Sequence, residues 1–317
     1  MDRPGSGRCV LVGPGAIGLY YGGLLARSGI RLQVLARSDY STLRSDGITL
    51  RMIDVKSGDP GAYYNIKPEA VEREAALIGR AGWVIIAAKA TANQDLLPAL
   101  QTLVEPEKTI LLTLQNGMGN AEFLVKHFPG NPVLAGLCFV CVNRVAPATV
   151  ENYLPGRVEI GSLADRYSEA ASQAVEAFTT AGIDCKQAAV LDASIWRKLC
   201  WNVPFNGLAI AAGGITTDQI LADSALVSRA RELMREIQQA ASLEGHVIKD
   251  TFLQGQIDAT GKMGAYRPSS LIDFQEGRVV ELEAIFGEPL RRAQKLGLEM
   301  PALAQLYLEV ADAVKSL

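Results

Sequence analysis

Residues 9–18 read CVLVGPGAIG, four apolar residues running without interruption into a glycine-spaced turn. CVLV has the composition of a strand, and AIGLYYGGLLARSG behind it has a helical pattern. Gly13, Gly15 and Gly18 therefore fall as G-x-G-x-x-G at a strand-to-helix junction, with Pro14, Ala16 and Ile17 between them. The first glycine of such a turn allows the tight bend, the second lets the backbone approach a pyrophosphate, and the third lets helix pack on strand. Amides left free at the helix start face the phosphate anion. The stretch reads as a dinucleotide-binding segment at the head of the chain.

Outward from this turn, RLQVLA, WVIIAAK and TILLTLQ read as further strands, each followed by glycine, polar residues or a helical pattern. That is the layout of an α/β protein with an N-terminal Rossmann-type, doubly wound sheet. At the end of the second strand, LARSD places Arg37 where a free ribose 2'-hydroxyl would call for a carboxylate, whereas a 2'-phosphate calls for an arginine. With Ser38 adding a hydroxyl, NADP is expected over NAD. The alternative is that Arg37 is an ordinary surface arginine.

From Pro132 to about Lys186 the pattern predicts shorter strands, GRVEIGS among them, then a helix over Ser168–Thr180 and a last strand over residues 183–186. Beyond Asp192, stretches such as SALVSRARELMREIQQAASLEG space apolar residues three and four apart, as helices do. The expected division is residues 1–188 as the NADP-binding domain and residues 189–317 as an all-α C-terminal domain. Within the latter, GAYRPSS reads as a loop delivering a helix start, Ser269 or Ser270 capping the turn after Pro268.

The 317 residues are 49% apolar with a net charge of -3, enough for a sizeable core and for about two domains. Basic residues are scattered, which argues against nucleic acid as a partner. No apolar run approaches the roughly 20 residues that span a bilayer, and MDRPGSGR lacks the hydrophobic core of a signal peptide. A cytoplasmic protein is expected. The five cysteines form no even framework, and the C-x-x-C of Cys138 and Cys141 lies in VLAGLCFVCV, which reads as buried strand. With two histidines in the chain, neither a metal site nor a redox motif is expected.

Residues 196–206 read WRKLCWNVPFN. Lys198, Asn202 and Asn206 lie four apart and drift by only about 40° per step around a helix, so they share a face. That face either lines a cleft for a polar ligand or is a solvated surface; Trp196, Trp201 and Phe205 around it argue against full exposure. A desolvated lysine has a lowered pKa and can donate a proton near neutrality. Pro204 lacks an N–H, so a kink between the two asparagines is a possible outcome.

With VGPGAIG, LQNGMGN at 114–120, WRKLCWNVPFN and PSSLIDFQEGRVVELEAIFG at 268–287 in view, the chain resembles the ketopantoate reductases (2-dehydropantoate 2-reductases), relatives of the 6-phosphogluconate dehydrogenase C-terminal-like proteins, over nearly its whole length. The resemblance implies that Lys198 is the general acid and that Asn202 and Asn206 hold the substrate's hydroxyl and carbonyl region. It implies that Ser269 binds the substrate carboxylate, that Glu281 orients lysine and substrate and touches the cofactor, and that Asn116 lies near nicotinamide and substrate. Lys89 would sit at the cofactor cleft and Arg37 would read the 2'-phosphate. Where the family often has asparagines this chain has Thr216 and Phe286, which bears on side-chain selectivity.

The implied reaction is NADPH-dependent reduction of 2-dehydropantoate to pantoate, in pantothenate and coenzyme A synthesis, on a small 2-oxo acid and without metal. Its alternatives are a paralogous NADPH-dependent reductase of another 2-oxo acid and an NADPH-sensing regulator without catalysis. An apolar helical second domain could support a homodimer.

Overall fold

The computed structural model describes residues 7–54 and 59–316; the opening MDRPGS, on which the expectation of no signal peptide partly rests, lies outside the described residues. The chain forms two compact units. The first takes in residues up to Gln115 together with Asn120–Leu191; the second joins Asn116–Gly119 to Asp192–Leu317. No described helix is long and apolar enough to cross a membrane.

Among its described residues the first unit is built on one sheet of ten strands: β1 (Cys9–Val12), β2 (Leu32–Leu35), β3 (Ile48–Ile53), β4 (Pro60–Ile66), β5 (Ala70–Glu72), β6 (Trp83–Ile86), β7 (Ile110–Thr113), β8 (Val133–Ala146), β9 (Thr149–Ser162) and β10 (Cys185–Gln187). Six of them, in the spatial order β5-β2-β1-β6-β7-β8, are parallel neighbours. That is the doubly wound dinucleotide-binding order, with its switch point between β1 and β6. All four residues of β1 are buried, as a parallel strand covered on both faces must be.

Helices α1 (Ala16–Arg27), α2 (Tyr40–Ser45), α3 (Ala75–Ile78), α4 (Asn93–Leu103), α5 (Asn120–His127) and α6 (Ser168–Thr180) accompany the sheet. α1 carries three glycines, each costing about 1 kcal/mol relative to alanine. Burial of Leu19, Leu24 and Leu25, each stabilising by about 1.5–3 kcal/mol, outweighs that cost. Packing holds this helix; propensity alone would not.

The short strands expected after Pro132 are instead two fourteen-residue strands, β8 and β9, paired antiparallel, so the sheet is mixed. β9 then pairs parallel with both β3 and β10, and β4 closes the far edge against β3. The strands look short in sequence because bulges interrupt their alternation: the β8–β9 register shifts near Phe139 and Cys141, opposite Pro155 and Gly156. Cys138 and Cys141 both lie in β8. Burial pushes the thiols of Cys9, Cys185 and Cys200 up to about 12, far from the reactive thiolate.

The second unit is helical, with no strand among its described residues: α7 (Leu191–Ala211), α8 (Thr217–Ala222), α9 (Ser224–Leu243), α10 (Asp250–Gly261), α11 (Ser269–Gln275), a π turn (Glu283–Gly287), α12 (Glu288–Lys295) and α13 (Pro301–Lys315). On α9 the residues Ala230, Leu233, Met234, Ile237, Ala240 and Ala241 are buried, the i, i+3, i+4, i+7 spacing of a core-facing stripe. Asp223 caps its start by accepting the N–H groups of Ala225 and Leu226 at 2.8 and 3.2 Å. Glu236, from the buried face of α9, accepts the N–H groups of Ala302 and Leu303, both at 2.8 Å. It satisfies two of the orphan donors at the start of α13, where Pro301 supplies none.

Candidate active site

In the first unit, Gly13 follows β1 with φ +84°, and a Cβ there would lie 2.3 Å from the amide nitrogen of Ala88, just beyond β6. The turn is thus pressed into the switch point between the two strands, which only glycine permits. A Cβ on Gly18 would lie 2.5 Å from the carbonyl oxygen of Gly13, so helix and turn are in direct backbone contact. Gly15 differs: its φ of -81° suits any residue, and the nearest atom to a Cβ is Ala87 O at 4.0 Å.

That open side, with no side chain capping α1 and no acid in its first turn, leaves N–H groups for an anion. Pro14, Ala16 and Ile17 are half-buried around it. The cradle fits a dinucleotide pyrophosphate. Gly15→Ala should therefore fold normally yet lose at least about tenfold in dinucleotide affinity, or about 1.4 kcal/mol. Gly13→Ala should lower the melting temperature. Ligand titration and thermal denaturation of both variants check this contrast.

Lys89 is half-buried at the start of a short turn after β6. Beside it lies an amide network that sequence reading missed. Gln115 Nε2 donates to Ala88 O at 3.0 Å and to Asn93 Oδ1 at 2.7 Å, and Asn93 Nδ2 donates to Asn120 Oδ1 at 3.0 Å. These side chains tie the ends of β6 and β7 together. Their only sequence signal is the polar residues flanking Asn116 in LQNGMGN.

Arg37 is exposed just past β2. Asp39, two residues on, is the acid that could have met a ribose hydroxyl, but it is only 4% exposed and already committed. It accepts Arg144 Nη2 and the N–H of Ala148, both at 2.9 Å. The carboxylate expected of a cofactor with a free 2'-hydroxyl is therefore withdrawn from the end of this strand.

In the second unit, the three polar residues of α7 are all buried, Lys198 at 8%, Asn202 at 7% and Asn206 at 2% exposure. Of the two readings of this stripe, a solvated face is excluded. Trp196 and Phe205 are in the core, and the helix runs as one element through Pro204. Lys198 Nζ donates to Asn116 Oδ1 at 2.9 Å. An ammonium removed from water is costly unless hydrogen-bonded, and this bond contributes to meeting that cost.

Asn206 donates to Asn202 O at 2.9 Å and accepts the N–H of Ser270 at 3.0 Å. Its amide thus does the capping expected of the serines. α11 begins at Ser269 itself, behind Pro268, with no local side-chain cap. Ser270 is buried, whereas Ser269 is exposed. A capping acceptor lying sixty-odd positions upstream in the chain leaves no local signal.

Asn116 is held by its neighbours. Gly117 has φ +85°, and Met118 N–H donates to Ala284 O at 2.8 Å, in the π turn. A Cβ on Gly117 would lie 2.3 Å from that same oxygen. The π turn begins two residues after Glu281, which is 4% exposed and whose carbonyl accepts the N–H of Ile285 at 3.1 Å. Asn116 and Glu281 therefore sit on two segments locked to each other through Ala284, an arrangement consistent with the frequent use of π turns at functional sites.

Glu283 anchors the same turn, accepting Tyr307 Oη and Arg291 Nη1, both at 2.6 Å. Burial raises the pKa of this carboxyl, but those two donors outweigh it and hold it below the usual range. Thr216 and Phe286 each have a place in the packing of the helical unit. Thr216 precedes α8 and its N–H is taken by Gln219 Oε1 at 2.9 Å; Phe286 is fully buried beside Gly207.

The two units have matching relatives. Sequence profiles of the family described as ketopantoate reductase PanE/ApbA match residues 9–165, and those of its C-terminal part match residues 190–313. A 2-dehydropantoate 2-reductase of Nostoc sp. is 34% identical over 302 residues, which cover 94% of this chain and 92% of that protein. The crystal structure of a 2-dehydropantoate 2-reductase from Geobacter metallireducens superposes with a TM-score of 0.91 at 33% identity, covering 96% of this chain and 99% of the other. A D-mandelate dehydrogenase with NADH and anilino(oxo)acetate shares the fold at a TM-score of 0.85 and 20% identity, covering 97% and 99%.

Proposed function

The chain belongs to the ketopantoate reductase family and is an oxidoreductase acting on a CH–OH group, and from that premise we propose that it reduces 2-dehydropantoate to pantoate with NADPH. The observation that carries the reading is Lys198, an ammonium buried on a helix face and hydrogen-bonded to Asn116 in a unit that also buries Glu281.

The Gly13–Gly18 turn holds the pyrophosphate of the cofactor, Arg37 holds its 2'-phosphate, and Lys89 lies at the cofactor cleft. NADPH, when bound, supplies the hydride for the carbonyl carbon. Ser269 fixes the substrate carboxylate. Asn202 and Asn206 hold the hydroxyl and carbonyl region, Asn206 also setting the helix start that presents Ser269. Orientation of this kind removes much of the entropic part of the barrier. As negative charge develops on the carbonyl oxygen, Lys198 stabilises it and then donates its proton there. Asn116 aims the ammonium, and Glu281 balances its charge. Cytoplasmic location, a homodimer and a role in pantothenate synthesis belong to the same proposal.

The test is the initial rate of cofactor oxidation with 2-dehydropantoate, beside a panel of other 2-oxo acids and with NADPH against NADH. The highest kcat/KM should belong to 2-dehydropantoate with NADPH. A faster 2-oxo acid would remove the substrate assignment while leaving the reaction class. Tight NADPH binding with no turnover of any 2-oxo acid would favour the sensor and overturn the proposal.

A further inference from the structure

Strands β2 and β5 are parallel neighbours that end level: Leu35 is in register with Glu72, and Ala36 N–H donates to Glu72 O at 2.9 Å. Arg73 directly follows Glu72, and Arg37 follows Leu35 by two residues, so both leave the sheet at the same carboxyl edge, where open α/β sheets bind their ligands. Both side chains are exposed, and among the described residues neither guanidinium is taken by a carboxylate.

Arg73 lies over the ring of Tyr40, 4.7 Å from its centroid. Arg44 covers that ring at 5.7 Å and donates to the Tyr40 hydroxyl. Glu72 and Glu74 flank Arg73 in sequence and form no ion pair with it. The one buried acid of the corner, Asp39, is spent on Arg144 and the Ala148 N–H. The corner thus presents two uncommitted arginines, one of them braced by an aromatic ring.

We propose that Arg73 is a second arginine of the 2'-phosphate site, binding the phosphate jointly with Arg37 while Tyr40 fixes its guanidinium. A phosphate monoester carries a charge of about -1.5 to -2 at neutral pH, which one guanidinium neutralises only in part. Two planar forks offer enough donors for its three terminal oxygens. The cation–π contact restricts Arg73 in advance, so less side-chain freedom is lost on binding. Arg73 has no motif of its own in VEREA, since only the pairing of β2 with β5 brings it to Arg37.

This inference rests on the NADP reading, and its test separates the two. The full-length protein, its Arg73→Leu and Arg73→Lys variants and Arg37→Leu are titrated calorimetrically with adenosine 2',5'-bisphosphate and with 5'-AMP, which lacks the 2'-phosphate. Wild type should prefer the bisphosphate. Arg73→Leu should weaken it by about ten- to hundredfold while changing 5'-AMP affinity by less than about twofold, with Arg73→Lys intermediate. If Arg73→Leu keeps the wild-type preference, or weakens both ligands equally, the inference falls and the NADP reading stands. If wild type shows no preference, both fall.

Discussion

Replacing Lys198 by alanine should lower kcat by about 10²–10⁴-fold while leaving NADPH affinity unchanged within about twofold. The ammonium is the only group of the α7 stripe that can both neutralise charge on a carbonyl oxygen and supply a proton. It is buried and bonded to Asn116. The loss should fall on kcat, because these interactions strengthen as charge develops. Folding should not suffer, since burying a lysine costs stability that a smaller apolar residue does not. Steady-state kinetics, fluorescence titration of NADPH and a melting curve read the three quantities separately. A melting temperature several degrees lower with kcat unchanged would mark Lys198 as structural.

Gly117→Ala should be the most damaging substitution remote from the reacting atoms. The new Cβ would meet the carbonyl oxygen of Ala284 at 2.3 Å and its carbon at 2.4 Å, both backbone atoms that cannot swing aside. The left-handed conformation at φ +85° adds about 1–2 kcal/mol for any residue with a Cβ. The turn must then lift from Ala284, losing the Met118 hydrogen bond and moving Asn116 away from Lys198. Misplacement of about 1 Å in such a constellation costs about 10²-fold in rate. Gly213→Ala is the control, with φ +92° and nothing within 4 Å of its Cβ. It pays the conformational cost alone and should keep near-normal kcat. Equal behaviour of the two variants would show that the contact with Ala284 does not position Asn116.

What could be read from the sequence was whatever depends on neighbours in the chain. The junction of CVLV with GPGAIG is local, and so is the helical pattern over residues 168–180, which became α6 with those bounds. The four-residue spacing of Lys198, Asn202 and Asn206 likewise required only helical geometry. Its two readings were separated only by burial, a property of the folded unit.

Features set by distant partners left no trace. The capping of α11 by Asn206, the neutralisation of Asp39 by Arg144 and the pairing of β2 with β5, the strands that lead to Arg37 and Arg73, each join residues from separate elements. β8 and β9 failed to read as long strands because their bulges break the two-residue period by which strands are recognised. Thr216 and Phe286 drew notice as departures from a family pattern; in the fold one starts a helix and the other is buried in the core. Residue identity alone does not separate those roles from contact with a ligand.

The central claim, that hydride passes from NADPH to a 2-oxo acid carbonyl on this protein, is tested most directly with isotope. NADPH carrying deuterium at both C4 positions of the nicotinamide is incubated with 2-dehydropantoate and the wild-type protein, and the product is examined by mass spectrometry and proton NMR. Pantoate one mass unit heavier, with deuterium at C2, is the predicted result. Product formed without the label, or no pantoate under conditions where NADPH is bound, would contradict it.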